Sequence, residues 1–186
     1  MADAAPGAGG TGRTVVLDTG AVLAGLGPAQ SGASGGSSTR FVAPERVRDE
    51  VRPGGPTGRS LERQLDAGLV LVMPSSVARE RVREAARVSG DLAVLSVTDV
   101  DVLAAALDAP EGAEVWSDDL AVQNVARRLG VAARPATGRA IRSEVVWHVR
   151  CTGCGRYPEA ATPAGECPVC GSPLKRTRRP PDGRRV

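Results

Sequence analysis

Apolar residues in this chain fall into short blocks separated by polar and glycine-rich connections. Thr14-Val-Val-Leu17 predicts a strand ending at Asp18, and Ala21 to Ala24 predicts the first turn of a helix. Phe41-Val-Ala43 predicts a second strand. Pro44 then opens a helix through Glu50 and Val51, because its fixed φ suits the first helical position. Pro53, Gly54, Gly55 and Pro56 mark a connection before a helix over Ser60–Ala67. Leu69 to Met73 is a continuous apolar run, as expected of a strand covered on both faces. Helices follow at Ser76–Val88, charged along one side, and at Thr98–Leu107, with Val100, Leu103, Ala104 and Leu107 on one face. Glu114–Ser117, Asp119–Leu129 and Val131–Arg134 read as strand, helix, strand. This alternation predicts an α/β domain with a mostly parallel central sheet, spanning residues 13–138.

Composition narrows the picture. A length of 186 residues holds one ordinary domain and a small appendage. An apolar share of 41% excludes a wholly disordered chain, and the 23 glycines and 14 prolines place loose segments at 1–12 and Gly25–Ser38. Four aromatic residues leave a core of Val, Leu and Ala and exclude a protein that reads bases mainly by stacking. No run approaches the ~20 apolar residues of a membrane span. Met1–Gly12 lacks the basic and apolar regions of an export signal, so a soluble cytoplasmic protein without a membrane partner is expected.

Charge divides the chain. Residues 1–138 carry 14 basic and 17 acidic side chains; residues 139–186 carry 10 basic and 4 acidic. The basic end fits a polyanionic partner. Every basic residue but Lys175 is an arginine, which suits bidentate phosphate contacts. Genome composition accounts equally for arginine over lysine, though not for the segregation. The C-terminal run of Lys175, Arg176, Arg178, Arg179, Arg184 and Arg185 also reads as a solvated end.

All four cysteines lie in that end. Cys151-Thr-Gly-Cys154 and Cys167-Pro-Val-Cys170 are separated by 12 residues, the spacing of a tetrahedral four-thiolate zinc site. Two disulfides would suit an exported chain, and a redox pair rarely comes twice at this spacing. His148 precedes the first pair by three residues and reads as a surface strand residue. A closed four-thiolate site has no open coordination position, so this ribbon, 139–176 with flanking strands at Val145–Val149 and around Leu174, binds or rigidifies. Residues 177–186 form a basic tail.

Chemistry is sought in the carboxylates. Open parallel sheets bind ligands beyond the carboxyl ends of their strands. Asp18 and Asp118 fall there, Asp99 opens the helix preceding the second of these strands, and Glu50 follows Phe41-Val-Ala43. Each aspartate singly reads as a helix N-cap, and Glu50 as a solvated helix residue. Jointly, an oxygen-rich set without His or Cys suits Mg²⁺ or Mn²⁺ and metal-assisted hydrolysis of a phosphodiester. Asp18-Thr-Gly20 also matches an aspartic-protease tripeptide, but the helices and the lack of a second such tripeptide count against that fold.

The order Val-Val-Leu-Asp18-Thr, Val-Arg-Asp-Glu50-Val, Thr-Asp99-Val-Asp-Val-Leu-Ala and Ser-Asp118-Asp119-Leu-Ala-Val-Gln-Asn resembles a PIN-domain endoribonuclease. With the four-cysteine ribbon attached, it is similar to the archaeal form of the Nob family of ribosome-maturation nucleases, from about Thr14 to Arg176. The resemblance implies a PIN-like three-layer fold and a nuclease trimming precursor small-subunit (16S) ribosomal RNA near its 3′ end, on the pre-small-subunit particle and with possible assembly factors. It implies catalytic Asp18, Glu50, Asp99 and Asp118, with Asp18, Asp99 and Asp118 holding the catalytic ion and Glu50 orienting or deprotonating water. Cleavage would leave a 5′-phosphate and a 3′-hydroxyl. Asp119 either assists or caps its helix, and Asp101 turns away from the ligand face. Gly20 and Leu120 depart from the usual serine and aromatic. Arg139, Arg142, Lys175 and Arg176 are the expected RNA contacts. Two alternatives remain: a non-catalytic RNA-binding assembly factor, and a toxin-like PIN ribonuclease acting on transfer or messenger RNA.

Overall fold

The structure, a computed structural model, describes residues 13–30, 39–109, 113–158 and 165–178. The predicted N-terminal tail, most of the Gly/Ser loop and residues 179–186 lie outside the described residues. Five strands, β1 (Thr14–Leu17), β2 (Arg40–Pro44), β3 (Val70–Val72), β4 (Glu114–Trp116) and β5 (Ala132–Arg134), form one parallel sheet in the order β3-β2-β1-β4-β5. From β1 the chain winds outward through β2 and β3, then crosses back to β4 and β5. Strand order therefore reverses between β1 and β4, where an open parallel sheet makes its ligand crevice.

Side chains alternate between the two faces of the sheet. Val15, Leu17, Phe41 and Ala43 pack against α1 (Thr19–Leu23) and α2 (Pro56–Asp66) through Val22 and Leu61. Val16, Val42 and Val115 pack against α3 (Ser76–Ser89), α4 (Val97–Asp108) and α5 (Leu120–Arg128). The predicted three layers are present. Helix α4 is buried nearly all round, from Val100 to Ala106, because α3 and α5 flank it over the sheet. Asp101, within that stretch, is buried and held by Arg79 at 2.6 Å and Arg46 at 3.2 Å.

Two local expectations are corrected. The segment after β2 is a 3-10 helix over Glu45–Glu50, with no side chain capping its start. Leu69–Met73 is not a strand covered on both faces: β3 is the sheet edge and Val70 is 40% exposed. Among the described residues, no helix is long and apolar enough to cross a membrane.

The C-terminal unit is an antiparallel pair, β6 (His148–Cys151) and β7 (Leu174–Thr177), with Cys151 opposite Leu174. It meets the body at the end of α3. Gly90 terminates that helix at φ 76°, in the left-handed region, and a Cβ there would lie 2.5 Å from the Trp147 carbonyl oxygen. Both facts require glycine. Gly90→Ala is expected to cost at least about 1–2 kcal/mol from the backbone alone, and to loosen Trp147; thermal unfolding and tryptophan fluorescence measure the two effects.

Candidate active site

Asp18 leaves the end of β1 and caps α1, its Oδ1 accepting the Ala21 N–H at 2.6 Å. It is 9% exposed. Burial pushes its pKa above the usual aspartate value and the nearby Asp99 and Asp118 charges push it further, against hydrogen bonds from Ser117 and Ala21 that pull it down. Ser117 Oγ also accepts the Asp119 N–H at 3.1 Å. The hydroxyl of the next residue, Thr19, is buried and finds no hydrogen-bond partner among the described residues.

Asp99 is the third residue of α4, in a reciprocal capping box: its Oδ2 accepts the Ser96 N–H at 2.8 Å while its own N–H reaches Ser96 Oγ at 3.1 Å. Asp118 follows β4 on the surface. Its carboxylate accepts the Thr137 N–H at 2.9 Å, the Thr137 hydroxyl at 2.6 Å and the Gly138 N–H at 2.7 Å. Those donors hold its pKa below the ordinary value. Asp119 caps α5 through the Ala121 and Val122 N–H groups; of its two predicted roles, capping is the one seen.

Each aspartate thus doubles as a local anchor, and the charges of Asp99 and Asp118 both act on Asp18 at the end of β1. Glu50 differs in its bonding: it closes the 3-10 helix, exposed, and its side chain has no ion-pair or hydrogen-bond partner among the described residues. Carboxylate oxygens do not close into a tight cage. Among the described residues the four cysteines are the only group of three or more acidic, His or Cys ligand atoms lying within 4.8 Å of one another. An open acidic set fits Mg²⁺ or Mn²⁺, which keeps several waters and uses one or two carboxylates directly. The costly ionisation of buried Asp18 beside two like charges, and the orphaned Thr19 hydroxyl, fit a cation there.

The cysteines differ. Cys151 Sγ lies 3.5 Å from Cys170 Sγ, and Cys154 Sγ 3.7 Å from Cys167 Sγ. A disulfide would require about 2.05 Å, whereas tetrahedral zinc with Zn–S bonds of about 2.3 Å separates its sulfurs by about 3.8 Å. Ser172, by its hydroxyl and its backbone N–H, pulls the Cys170 thiol down to about 6, toward the thiolate a metal requires.

Residues 15–108, half of the chain, match the family described as the PIN domain of ribonuclease. Over 116 residues the chain is 44% identical to the endoribonuclease Nob1 of Pyrococcus abyssi, covering 62% of this chain and 70% of the relative. The chain belongs to the PIN-domain ribonuclease family. It is an endoribonuclease of that family. Nob1 of Methanocaldococcus jannaschii is 30% identical over 165 residues, 88% of this chain and 77% of its own. Ribonuclease VapC3 of Aeropyrum pernix is 44% identical over 127 residues, 65% of this chain and 85% of its own. A match covering 88% of this chain must run past residue 138 into the cysteine-bearing part. The VapC3 match has a length that the nuclease body alone can hold.

The predicted basic contacts separate into two groups. Arg139 and Arg142 are exposed along a 340 Å³ cleft between the start of α5 and the ribbon, and neither has an acidic partner among the described residues. Lys175 is exposed on β7. Arg176 instead turns inward, its guanidinium 2.7 Å from Asp91 and 4.4 Å from the centre of the Trp147 ring. Sequence reading missed Asp91, Thr137 and Trp147. Gln123 and Asn124 stand within the Asp118-Asp119 motif, which by itself gives them no role. Two adjacent amides inside an otherwise apolar helix stretch were the available signal.

Proposed function

We propose that this endoribonuclease hydrolyses a phosphodiester of precursor small-subunit ribosomal RNA near its 3′ end, using a divalent cation held by Asp18, Asp99 and Asp118. The observation that carries the metal reading is the action of the Asp99 and Asp118 charges on Asp18 at the end of β1, with Asp18 buried and its ionisation disfavoured. When bound, Mg²⁺ or Mn²⁺ supplies charge stabilisation at the phosphate and lowers the pKa of a water. Asp18 and Asp99 each keep one oxygen engaged by a helix N-terminus and hold the other in place by that bond. Glu50, exposed and unpaired, accepts the proton of the attacking water. Arg139, Arg142 and Lys175 hold phosphates, a contact that orients RNA and weakens steeply with salt. Zinc closes the ribbon through Cys151, Cys154, Cys167 and Cys170. The partners are the precursor RNA and the pre-small-subunit particle, in the cytoplasm.

The Nob reading over the toxin reading rests on the ribbon and on the relative whose match runs into it. A competition assay separates them. With Mn²⁺, a model RNA spanning the precursor 3′ end is expected to be cut in preference to transfer RNA at equal concentration. Faster cleavage of transfer RNA would favour the toxin-like reading. Binding without cleavage of either RNA would favour a non-catalytic assembly factor.

A further inference from the structure

Residues 136–147, which lead from β5 to the ribbon, form no helix or strand, yet they are bonded to the nuclease body at nearly every turn. Thr137 and Gly138 give three donors to Asp118. Next, the Gln123 amide donates to the Ser117 carbonyl at 2.8 Å and the Arg139 carbonyl at 3.0 Å, and accepts the Ile141 N–H at 2.8 Å. Asn124 then grips Val145 in the manner of a strand partner, donating to its carbonyl and accepting its N–H, both at 2.8 Å. Trp147 N–H ends the series on the Ser89 carbonyl at 2.8 Å.

The ribbon fastens the far end of this strap. Arg176 of β7 reaches Asp91 at 2.7 Å and the Gly90 carbonyl at 3.1 Å, under the Trp147 ring. Asp91 is 1% exposed and also accepts Ser89 Oγ at 2.7 Å and the Asn124 amide at 2.6 Å. Asn124 therefore belongs both to the ribbon's anchor and to the strap. A buried carboxylate with all its partners in place has one geometry; with its cation removed it does not.

Asp118, in contrast, is a surface aspartate whose rotamer nothing on its own loop fixes. Its orientation comes from the strap. We propose that Thr137 is a positioning residue for the Asp118 carboxylate, and that docking of the ribbon, through Arg176 on Asp91, holds the strap that delivers it. The proposal rests on Asp118 serving the cation, as read above. Ribbon and nuclease body then act as one unit, in which an element with no chemistry of its own sets the aim of a carboxylate outside it. Partners of this kind, which orient a metal-binding group without touching the metal, typically change metal affinity by about 10–100-fold when removed.

The test is calorimetric titration of Mn²⁺ into the full-length, zinc-loaded protein without RNA, for wild type, Thr137→Val, Thr137→Ser and Arg176→Gln. Thr137→Val keeps the backbone donors and the side-chain shape but loses the hydroxyl. It is expected to weaken Mn²⁺ binding about tenfold, with an unchanged unfolding midpoint, and Thr137→Ser to restore it. Arg176→Gln is expected to weaken Mn²⁺ binding while zinc remains bound, a loss that a merely structural Arg176 would not produce. Equal Mn²⁺ affinity in wild type and Thr137→Val, or a Thr137→Ser protein as weak as Thr137→Val, would overturn the role of Thr137. Unchanged affinity in Arg176→Gln would overturn the ribbon's part. If wild type itself takes up no Mn²⁺, the metal reading of the acids fails and this proposal falls with it.

Discussion

Asp18→Asn is expected to lower RNA cleavage about a thousandfold while making the metal-free protein more stable at neutral pH. The first effect follows from withdrawing one carboxylate from the set proposed to hold the cation; such a cation supplies several kcal/mol of transition-state stabilisation, at about 1.4 kcal/mol per tenfold in rate. The second follows from burial. Asp18 is 9% exposed, and burial together with Asp99 and Asp118 raises its pKa. Asparagine keeps the Ala21 cap, since it caps helices as well as aspartate, and removes the disfavoured charge. The sign with pH is fixed by linkage. Between the ordinary aspartate value and the raised one, the folded wild type binds more protons than the unfolded chain, so its stability falls as pH rises through that window. The advantage of the asparagine variant is therefore full above the raised value and vanishes in acid, where both forms are neutral. Thermal melts over pH, beside a cleavage assay, read both effects. A variant that loses stability and activity together would mark Asp18 as structural.

Removing two thiolates, with Cys154→Ser and Cys167→Ser together, is expected to empty the zinc site and unfold the ribbon while the nuclease body stays folded. The described ribbon core is small: Cys151, Cys167 and Leu174, with Val149 against them. Two of those buried residues, Cys151 and Cys167, belong to the four-thiolate set proposed for zinc, so the metal would form most of the core. Structural zinc in small domains contributes about 10–16 kcal/mol at neutral pH, which becomes folding free energy. The body keeps separate cores on the two faces of its sheet. Zinc content should drop from one per chain to none, and the amides of β6 and β7 should exchange freely. Trp147 should lose the guanidinium stacked on it. The amides of β1 and β4 should stay protected. Protected β6 and β7 amides in the zinc-free variant would contradict a metal-dependent ribbon.

Most of the body was legible in the sequence because its signals are local. Val15-Val16-Leu17 is short, apolar and followed by a capping aspartate, and this alone places a strand end and an acid together. The cysteine spacing is equally local. Edge position is not: Leu69–Met73 has the composition of a central strand, and only the assembled sheet leaves Val70 uncovered. Likewise six residues after β2, with Pro44 ahead of them, do not reveal that the turn is 3-10. The contact between Asp91 and Arg176 spans 85 positions, and nothing within either segment announces it. Gln123 and Asn124 are visible as polar residues in an apolar helix, but apart from Asp91 their partners are backbone groups, most of them on the strap, which carry no side-chain signature. The acids therefore read from the sequence, and what aims them does not.

The central claim, a cation-dependent endoribonuclease working through the three aspartates, is tested most directly by the chemistry of the cut ends. A model RNA spanning the precursor 3′ boundary should be incubated with Mn²⁺ and wild type or Asp99→Asn, and both product ends identified. Attack of water on phosphorus with departure of the 3′-oxygen gives a 5′-phosphate and a 3′-hydroxyl at one position, expected from wild type with metal and not from Asp99→Asn. Products bearing 2′,3′-cyclic phosphates, or equal cleavage by the Asp99→Asn protein, would contradict it.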